Sequence, residues 1–358
     1  MASSQTSKSD IPSAAVSASL PNRLFRLSAA LLKDKRVRGI LQLTLSVALL
    51  VWLANRVGFD AISSTLAGVS WTWYLPAFLL FLGNVLLRAY RWYVLVTALQ
   101  QEISYGRLLY LYFLGFFFNN FIPSGFGGDV VKVLALQRDQ TRGAEALSSV
   151  VMDRLTGLIG SSSIAIIVLA WNGIQPWFGG SGTNLNLPSL LLLITALVSI
   201  GIPAGFMLIR WLDPLDLLGT HLPFTRRVTT NPGLQRVVRT IRCYPLHALL
   251  KALSVSLPFT VGLVVIQYAI ARALAVDVPF YLFFLFVPII AIINTLPISF
   301  NGLGMREGVY QFLFVPAGVS SAGAIAMSLA FYFLRVAAGL IGGLLYAVKS
   351  VRRLARAT

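Results

Sequence analysis

The chain has 358 residues, of which 57% are hydrophobic and 11% charged, and its formal net charge is +17; its mean hydropathy is +0.78. A charged fraction less than half of the roughly 25% usual in soluble domains excludes an ordinary water-soluble globule. The positive charge does not indicate nucleic-acid binding, because Lys and Arg flank apolar runs instead of forming a basic domain clear of a membrane.

Residues 1–38 begin Ser/Ala-rich, carry seven Lys or Arg, and are expected to form a disordered basic cytoplasmic tail. Eight apolar runs follow: Gly39–Leu53 (extending to about Val57), Trp71–Leu99, Leu108–Ile122, Leu147–Trp171, Leu190–Trp211, Ala252–Leu274, Leu282–Leu296 and Ala322–Val348. The first is longer than a signal-peptide core and lacks a close small-residue cleavage site, so it is expected to be a retained helix. A spanning helix needs roughly 20 residues. Leu108–Ile122 and Leu282–Leu296 have only 15 each. Residues 349–358 form a second basic tail with four Lys or Arg. One cysteine, Cys243, leaves no partner for an internal disulfide; with only His221 and His247 beside it, no Cys/His cluster has metal spacing. No metal or cofactor is expected.

Both short runs end in the same phrase. Asn120-Phe121-Ile122-Pro123-Ser124-Gly125-Phe126-Gly127-Gly128 recurs 174 residues later as Asn294-Thr295-Leu296-Pro297-Ile298-Ser299-Phe300-Asn301-Gly302, with Lys132 and Arg306 at the same offset. Arg154 with Gly157-Leu158-Ile159-Gly160 is echoed, one residue out of register, by Arg335 with Gly339-Leu340-Ile341-Gly342. Chance likeness between Gly/Leu/Ile-rich helices accounts equally well for the last match alone. Paired, interrupted apolar segments in the two halves point to a duplicated fold with its site at the breaks.

Charge placement decides between two topologies. Eight simple crossings, the alternative, with an inside N-terminus, put 124–146 and the basic 212–247 loop outside, and 172–189, with no Lys or Arg, inside. That opposes the tendency of Lys and Arg to stay cytoplasmic. If the two short runs dip in and return, every basic cluster is cytoplasmic. The expected fold is therefore all-α: six full crossings plus two re-entrant hairpins, with repeat halves at about 39–171 and 190–348 forming one polytopic domain over 39–348. Three crossings per half make the repeat inverted, and both termini cytoplasmic. Non-helical backbone at membrane depth must be covered by protein or a watery cavity, so the hairpins are expected to face one another.

Charged side chains within apolar spans are costly and are functional candidates. Arg88, Arg91, Asp153, Arg154, Arg306, Glu307 and Arg335 carry an excess of three positive charges, which an anionic ligand could balance. Arg88 and Arg91 lie toward a helix end, and snorkelling to the interface is their simpler explanation. Asp153 and Arg154 could equally form a local structural pair, and Arg335 could bond hairpin carbonyls. The expected hairpin-tip residues are Asn120, Pro123, Gly127, Gly128, Asn294, Pro297, Gly302 and Gly304. Restarting helices there would present amides to an anion; Arg306 supplies a fork for phosphate, Lys132 a compact charge, and Asp129 could cap the restarted helix. A tight turn with close packing is the simpler role of the glycines.

The Pro-Gly turn with an acidic residue and a following cation (Pro123, Gly128, Asp129, Lys132), the Asp153-Arg154-Leu155 start of the next span, and Gly302-x-Gly304-x-Arg306-Glu307 resemble the membrane region of lysylphosphatidylglycerol synthases, a prokaryotic family of flippase-like domains. The resemblance covers residues 39–348. It implies a multi-pass protein of the cell (inner) membrane that moves aminoacylated or otherwise modified polar lipids between leaflets. Full synthases add a soluble aminoacyl-transferase domain; the chain stops at Thr358, so that enzymatic activity is not expected. Asp129 stands where members more often have Glu, and Gly125 where they have a bulkier or basic residue, which leaves headgroup preference open. A substrate site of Lys132, Arg306, Arg335, Arg154, Asp153, Glu307 and Asp129 follows, for a membrane phospholipid or glycolipid. The alternatives are a transporter of a small anionic solute and a non-transporting partner of a lipid-synthesis enzyme.

Overall fold

The computed structural model describes residues 59–121, 127–138, 143–174, 189–211, 231–294 and 304–354, all within one unit, Gln42–Thr358. The N-terminal tail, the first apolar run and the last four residues lie outside the described residues, as do Pro123, Gly125, Pro297 and Gly302 of the repeated phrase. The described residues are mostly helical, with no strand among them.

The helices are α1 (Phe59–Ala67), α2 (Trp71–Thr97), α3 (Tyr105–Phe121), α4 (Gly127–Arg138), α5 (Gly143–Ile174), α6 (Ser189–Trp211), α7 (Pro232–Arg242), α8 (Leu246–Ala273), α9 (Phe280–Ile293), α10 (Met305–Phe314) and α11 (Ser321–Leu354). Among the described residues, four are long and apolar enough to cross a membrane: Trp71–Thr97, Gly143–Trp171, Leu246–Ala273 and Ser321–Lys349. At 1.5 Å per residue α2 is about 40 Å long, more than the hydrocarbon core of about 30 Å. On the same scale α3 reaches about 25 Å, α9 about 21 Å, α4 about 18 Å and α10 about 15 Å. The 15-residue runs therefore fall on helices too short to span the core unaided.

The burial pattern is that of a membrane protein. On α2, Ala77, Phe81, Val85, Ala89, Trp92 and Val96 form a buried stripe at helical spacing. Leu75, Leu79, Leu86 and Tyr90 are exposed on the same helix. Exposed apolar faces continue on α6 with Leu193, Leu197 and Ile200, and on α11 with Leu340 and Leu344. In water such contiguous apolar area would cost solubility; against lipid tails it is the solvated face.

The helices pack reciprocally. Helix α2 lies along α8; α3 packs on α4 and α11, and α9 on α10 and α5; α4 packs on α5, and α10 on α11. The first-half helices α2–α5 thus find the neighbours that α8–α11 find in the second half. Small residues permit the closest approaches. A Cβ at Gly342 would lie 2.0 Å from the Phe113 carbonyl oxygen, and one at Gly339 2.5 Å from Asn120 Nδ2. At Gly128 a Cβ would meet the Gly115 carbonyl oxygen at 2.3 Å. With little hydrophobic driving force between helices in lipid, such backbone proximity is a main source of association. Between α2 and α8, Asn84 Nδ2 donates to the Phe259 carbonyl at 3.0 Å, and a Cβ at Gly262 would strike Asn84 Oδ1 at 2.8 Å.

Candidate functional site

Helix α2 carries Asn84, Arg88 and Arg91, spaced four and three apart and hence on one face. That face meets α3, α4, α5 and α8 around a cavity of about 210 Å³. Among the described residues five cations line it, Arg88, Arg91, Lys132, Arg154 and Arg335, together with Asp129. Phe81, Phe116, Phe259 and Phe331 supply apolar wall. Cations and aromatic rings thus line the cavity side by side, with Arg91 lying 5.2 Å from the Phe259 centroid.

Each charge is held by an identifiable set of contacts. Arg91 Nε donates to Asp153 Oδ1 at 2.8 Å, and Arg91 Nη1 donates to Ser256 Oγ at 3.2 Å. Tyr112 donates to the other Asp153 oxygen. Both members of the Arg91–Asp153 pair are buried. Gly157 makes room for this arrangement, since a Cβ there would sit 2.7 Å from Arg91 Nη1. Arg154 pairs with Asp129, and Lys132 Nζ stands 3.5 Å from Asp129 Oδ1. Lys132 also lies over two rings, 3.5 Å from the Tyr112 centroid and 5.2 Å from that of Trp92, a cation–π setting. Arg88 forms no ion pair among the described residues; its guanidinium lies 5.4 Å from the Tyr112 centroid and 5.9 Å from that of Phe259, and its buried Nε has no hydrogen-bond partner.

Of the site residues expected from sequence, Lys132, Arg154, Arg335 and Asp129 line one cavity, and Asp153 lies buried beside it as the counter-ion of Arg91. Arg306 and Glu307 do not line it. Arg306 Nη2 donates to Glu307 Oε1 at 2.8 Å, Arg306 Nε donates to Ser328 Oγ at 2.7 Å, and Ser328 donates to Glu307 at 2.9 Å. Both side chains are fully buried. Lys132 and Arg306, aligned in the repeat, therefore have different surroundings.

The helix starts also differ from expectation. The Gly128 amide, expected to be open to an anion, donates to Asn119 Oδ1 at 2.6 Å. The Gly304 amide donates to Glu307 Oε2 at 2.6 Å, and Gly304 has φ 81°, in the left-handed region where glycine is favoured. Asp129 lies in the first turn of α4 with its carboxylate directed to Lys132 and Arg154. Of the two repeated asparagines, Asn294 lines the cavity and has a buried Oδ1 without a partner, whereas Asn120 packs at Gly339.

Arg88 and Arg91, expected to snorkel, are cavity residues, and Asn84 joins them. The signal for all three was the polar stripe 84–88–91 on an otherwise apolar helix. Exchanging Arg306 and Glu307 for Lys132 and Asp129 leaves the balance unchanged: among the described residues, five cations and two carboxylates, Asp129 and Asp153, give an excess of three positive charges.

The helices and this interior cavity define a polytopic membrane protein with a cationic internal site. The chain belongs to the family described as Lysylphosphatidylglycerol synthase TM region, which matches residues 39–343. A UPF0104 membrane protein of Methanothermobacter thermautotrophicus is 24% identical over 339 residues, 86% of this chain and 93% of the relative.

Proposed function

We propose that this protein moves a polar lipid between leaflets, with the anionic headgroup of a phospholipid or glycolipid passing through the 210 Å³ cavity. The observation that carries this reading is the excess of three positive charges around the cavity. Insertion scales put one such charge at about 2.5–3.5 kcal/mol in the middle of a membrane helix. Among the described residues the charges of this set do not cancel, and an anion that visits would balance them. Arg88, Arg154 and Arg335 receive the phosphate or other anionic group in this reading. The Asp129 carboxylate, between Lys132 and Arg154, gives a cationic portion of a modified headgroup an acceptor. The aromatic walls take the first carbons below the headgroup, and the acyl chains stay in lipid.

The short pairs α3/α4 and α9/α10 act here as two re-entrant hairpins in an inverted repeat with six full crossings. Their lengths and the reciprocal packing support that assignment, and the positions of the basic loops favour cytoplasmic termini. The role proposed is transport without bond-making chemistry.

The test is reconstitution into vesicles with fluorescent phospholipids and glycolipids. Faster inter-leaflet movement than in protein-free vesicles is expected for anionic headgroups. No acceleration across the panel overturns the reading. Uptake of a small organic anion without lipid movement would replace it by solute transport, and loss of a copurifying lipid-synthesis enzyme on deletion, with lipid asymmetry unaltered, by a partner role.

A further inference from the structure

The charges around the cavity sort into groups by their contacts. Arg91 and Asp153 form a buried pair at 2.8 Å and together contribute no net charge. Asp129 is shared by Arg154 and Lys132, and that group keeps one positive charge. Arg88 and Arg335 add one each. Arg88 has a buried Nε without a hydrogen-bond partner, and its guanidinium lies over the rings of Tyr112 and Phe259.

The segments outside the described residues do not lower this sum. Residues 122–126 and 295–303, which belong to the repeated phrase, contain no ionisable side chain. Residues 175–188 contain none either. In 139–142 Asp139 is matched by Arg142, and in 212–230 Asp213 and Asp216 are matched by Arg226 and Arg227. The two terminal segments, 1–58 and 355–358, are net basic. No segment outside the described residues has a net negative charge with which to offset the cavity.

The size of the excess selects among anions. A phosphodiester carries one negative charge and two terminal oxygens. A phosphomonoester carries about −1.5 to −2 at neutral pH and three acceptor oxygens. Buried charge is costly unless paired. Of the excess of three positive charges among the described residues, a diester leaves two uncompensated and a monoester about one. Guanidinium groups suit the additional oxygen, because each presents parallel N–H donors in a planar fork.

We infer that the cavity selects a phosphomonoester, a terminal phosphate with no second substituent, over a phosphodiester, and that Arg88 contributes to the choice. This rests on the proposed reading of the cavity as an anion site, and narrows it from anionic headgroups in general to those ending in an unsubstituted phosphate. Two sources supply that chemistry: a lipid that ends in phosphate and a small soluble phosphate ester.

The experiment is native mass spectrometry of the full chain, near neutral pH, with equal amounts of phosphatidic acid and phosphatidylmethanol. The two lipids share acyl chains and differ by one methyl ester, hence by about one charge. Phosphatidic acid is expected to be retained with a preference of about tenfold, the effect of one further charge-assisted hydrogen bond, and Arg88→Gln is expected to lower that preference to about threefold. Equal retention by the wild-type chain overturns the inference, as does a preference left unchanged by Arg88→Gln. Displacement of bound phosphatidic acid by excess glycerol phosphate supports the inference with a soluble source; failure to displace it supports the inference with a lipid source. Transfer of the same two lipids between vesicle leaflets separates this inference from the transport reading. Equal retention with rapid transfer of both overturns the inference alone, and preferential retention with transfer of neither overturns the transport reading alone.

Discussion

The Arg91–Asp153 pair is open to a quantitative test. Arg91 Nε and Asp153 Oδ1 are 2.8 Å apart, with side chains only 2% and 3% exposed, and Tyr112 donates to the second carboxylate oxygen. Asp153→Asn preserves volume but removes the charge, leaving the buried Arg91 guanidinium without its counter-ion. Breaking one side of a buried pair costs about 3–5 kcal/mol. At about 2–4 °C per kcal/mol for chains of a few hundred residues, the apparent Tm should fall by about 10 °C. The double substitution Arg91→Met/Asp153→Leu removes both charges, and apolar replacements of buried pairs are often neutral. It should recover most of the loss. The assay is a melting curve in detergent followed by size-exclusion recovery. An Asp153→Asn protein within about 1 kcal/mol of wild type, or no recovery in the double variant, would refute the assignment of Asp153 as the structural counter-ion of Arg91.

Arg88→Gln is expected to slow anionic-lipid movement about tenfold, the loss of one charge-assisted hydrogen bond, with Tm unchanged or raised because Arg88 has no ion pair among the described residues; equal slowing and destabilisation would make Arg88 a packing residue. Gly342→Ala forces a methyl group onto the Phe113 carbonyl at 2.0 Å and should lower stability by about 1–3 kcal/mol, whereas Gly201→Ala, with open space around it, should be neutral or slightly stabilising; comparison of the two melting curves checks both.

Much of the architecture was readable because hydropathy and length are local properties. The Trp71–Leu99 run became Trp71–Thr97, Ala252–Leu274 lies within Leu246–Ala273 apart from one residue, and Ala322–Val348 lies inside Ser321–Leu354. The two 15-residue runs fall on helices of 17 and 14 residues. The glycines of the repeated Gly-Leu-Ile-Gly pattern also gained a physical role: Gly157 admits Arg91, and Gly339 and Gly342 let α11 touch α3.

The membership of the charged site was less readable, because it depends on partners far apart in sequence. Arg306 aligns with Lys132, but Glu307 follows Arg306 whereas Val133 follows Lys132. That one difference supplies Arg306 with a neighbour that neutralises it and also caps Gly304. Depth along α2 suggested that Arg88 and Arg91 reach the interface. Their azimuth, shared with Asn84, turns them inward instead, toward Asp153 and Ser256 on other helices. Rotation about a helix axis is weakly specified by an almost uniformly apolar sequence, and the three polar residues were its main marker.

The most direct measurement is the inter-leaflet transfer rate of a fluorescent anionic phospholipid in vesicles containing the wild-type chain, Arg88→Gln or Leu158→Trp, the last placing bulk at the cavity wall. Rapid transfer by wild type, about tenfold slower transfer by Arg88→Gln and none by Leu158→Trp, with all three folded, is the predicted result. Equal transfer by all three proteins would contradict passage of the headgroup through the cationic cavity.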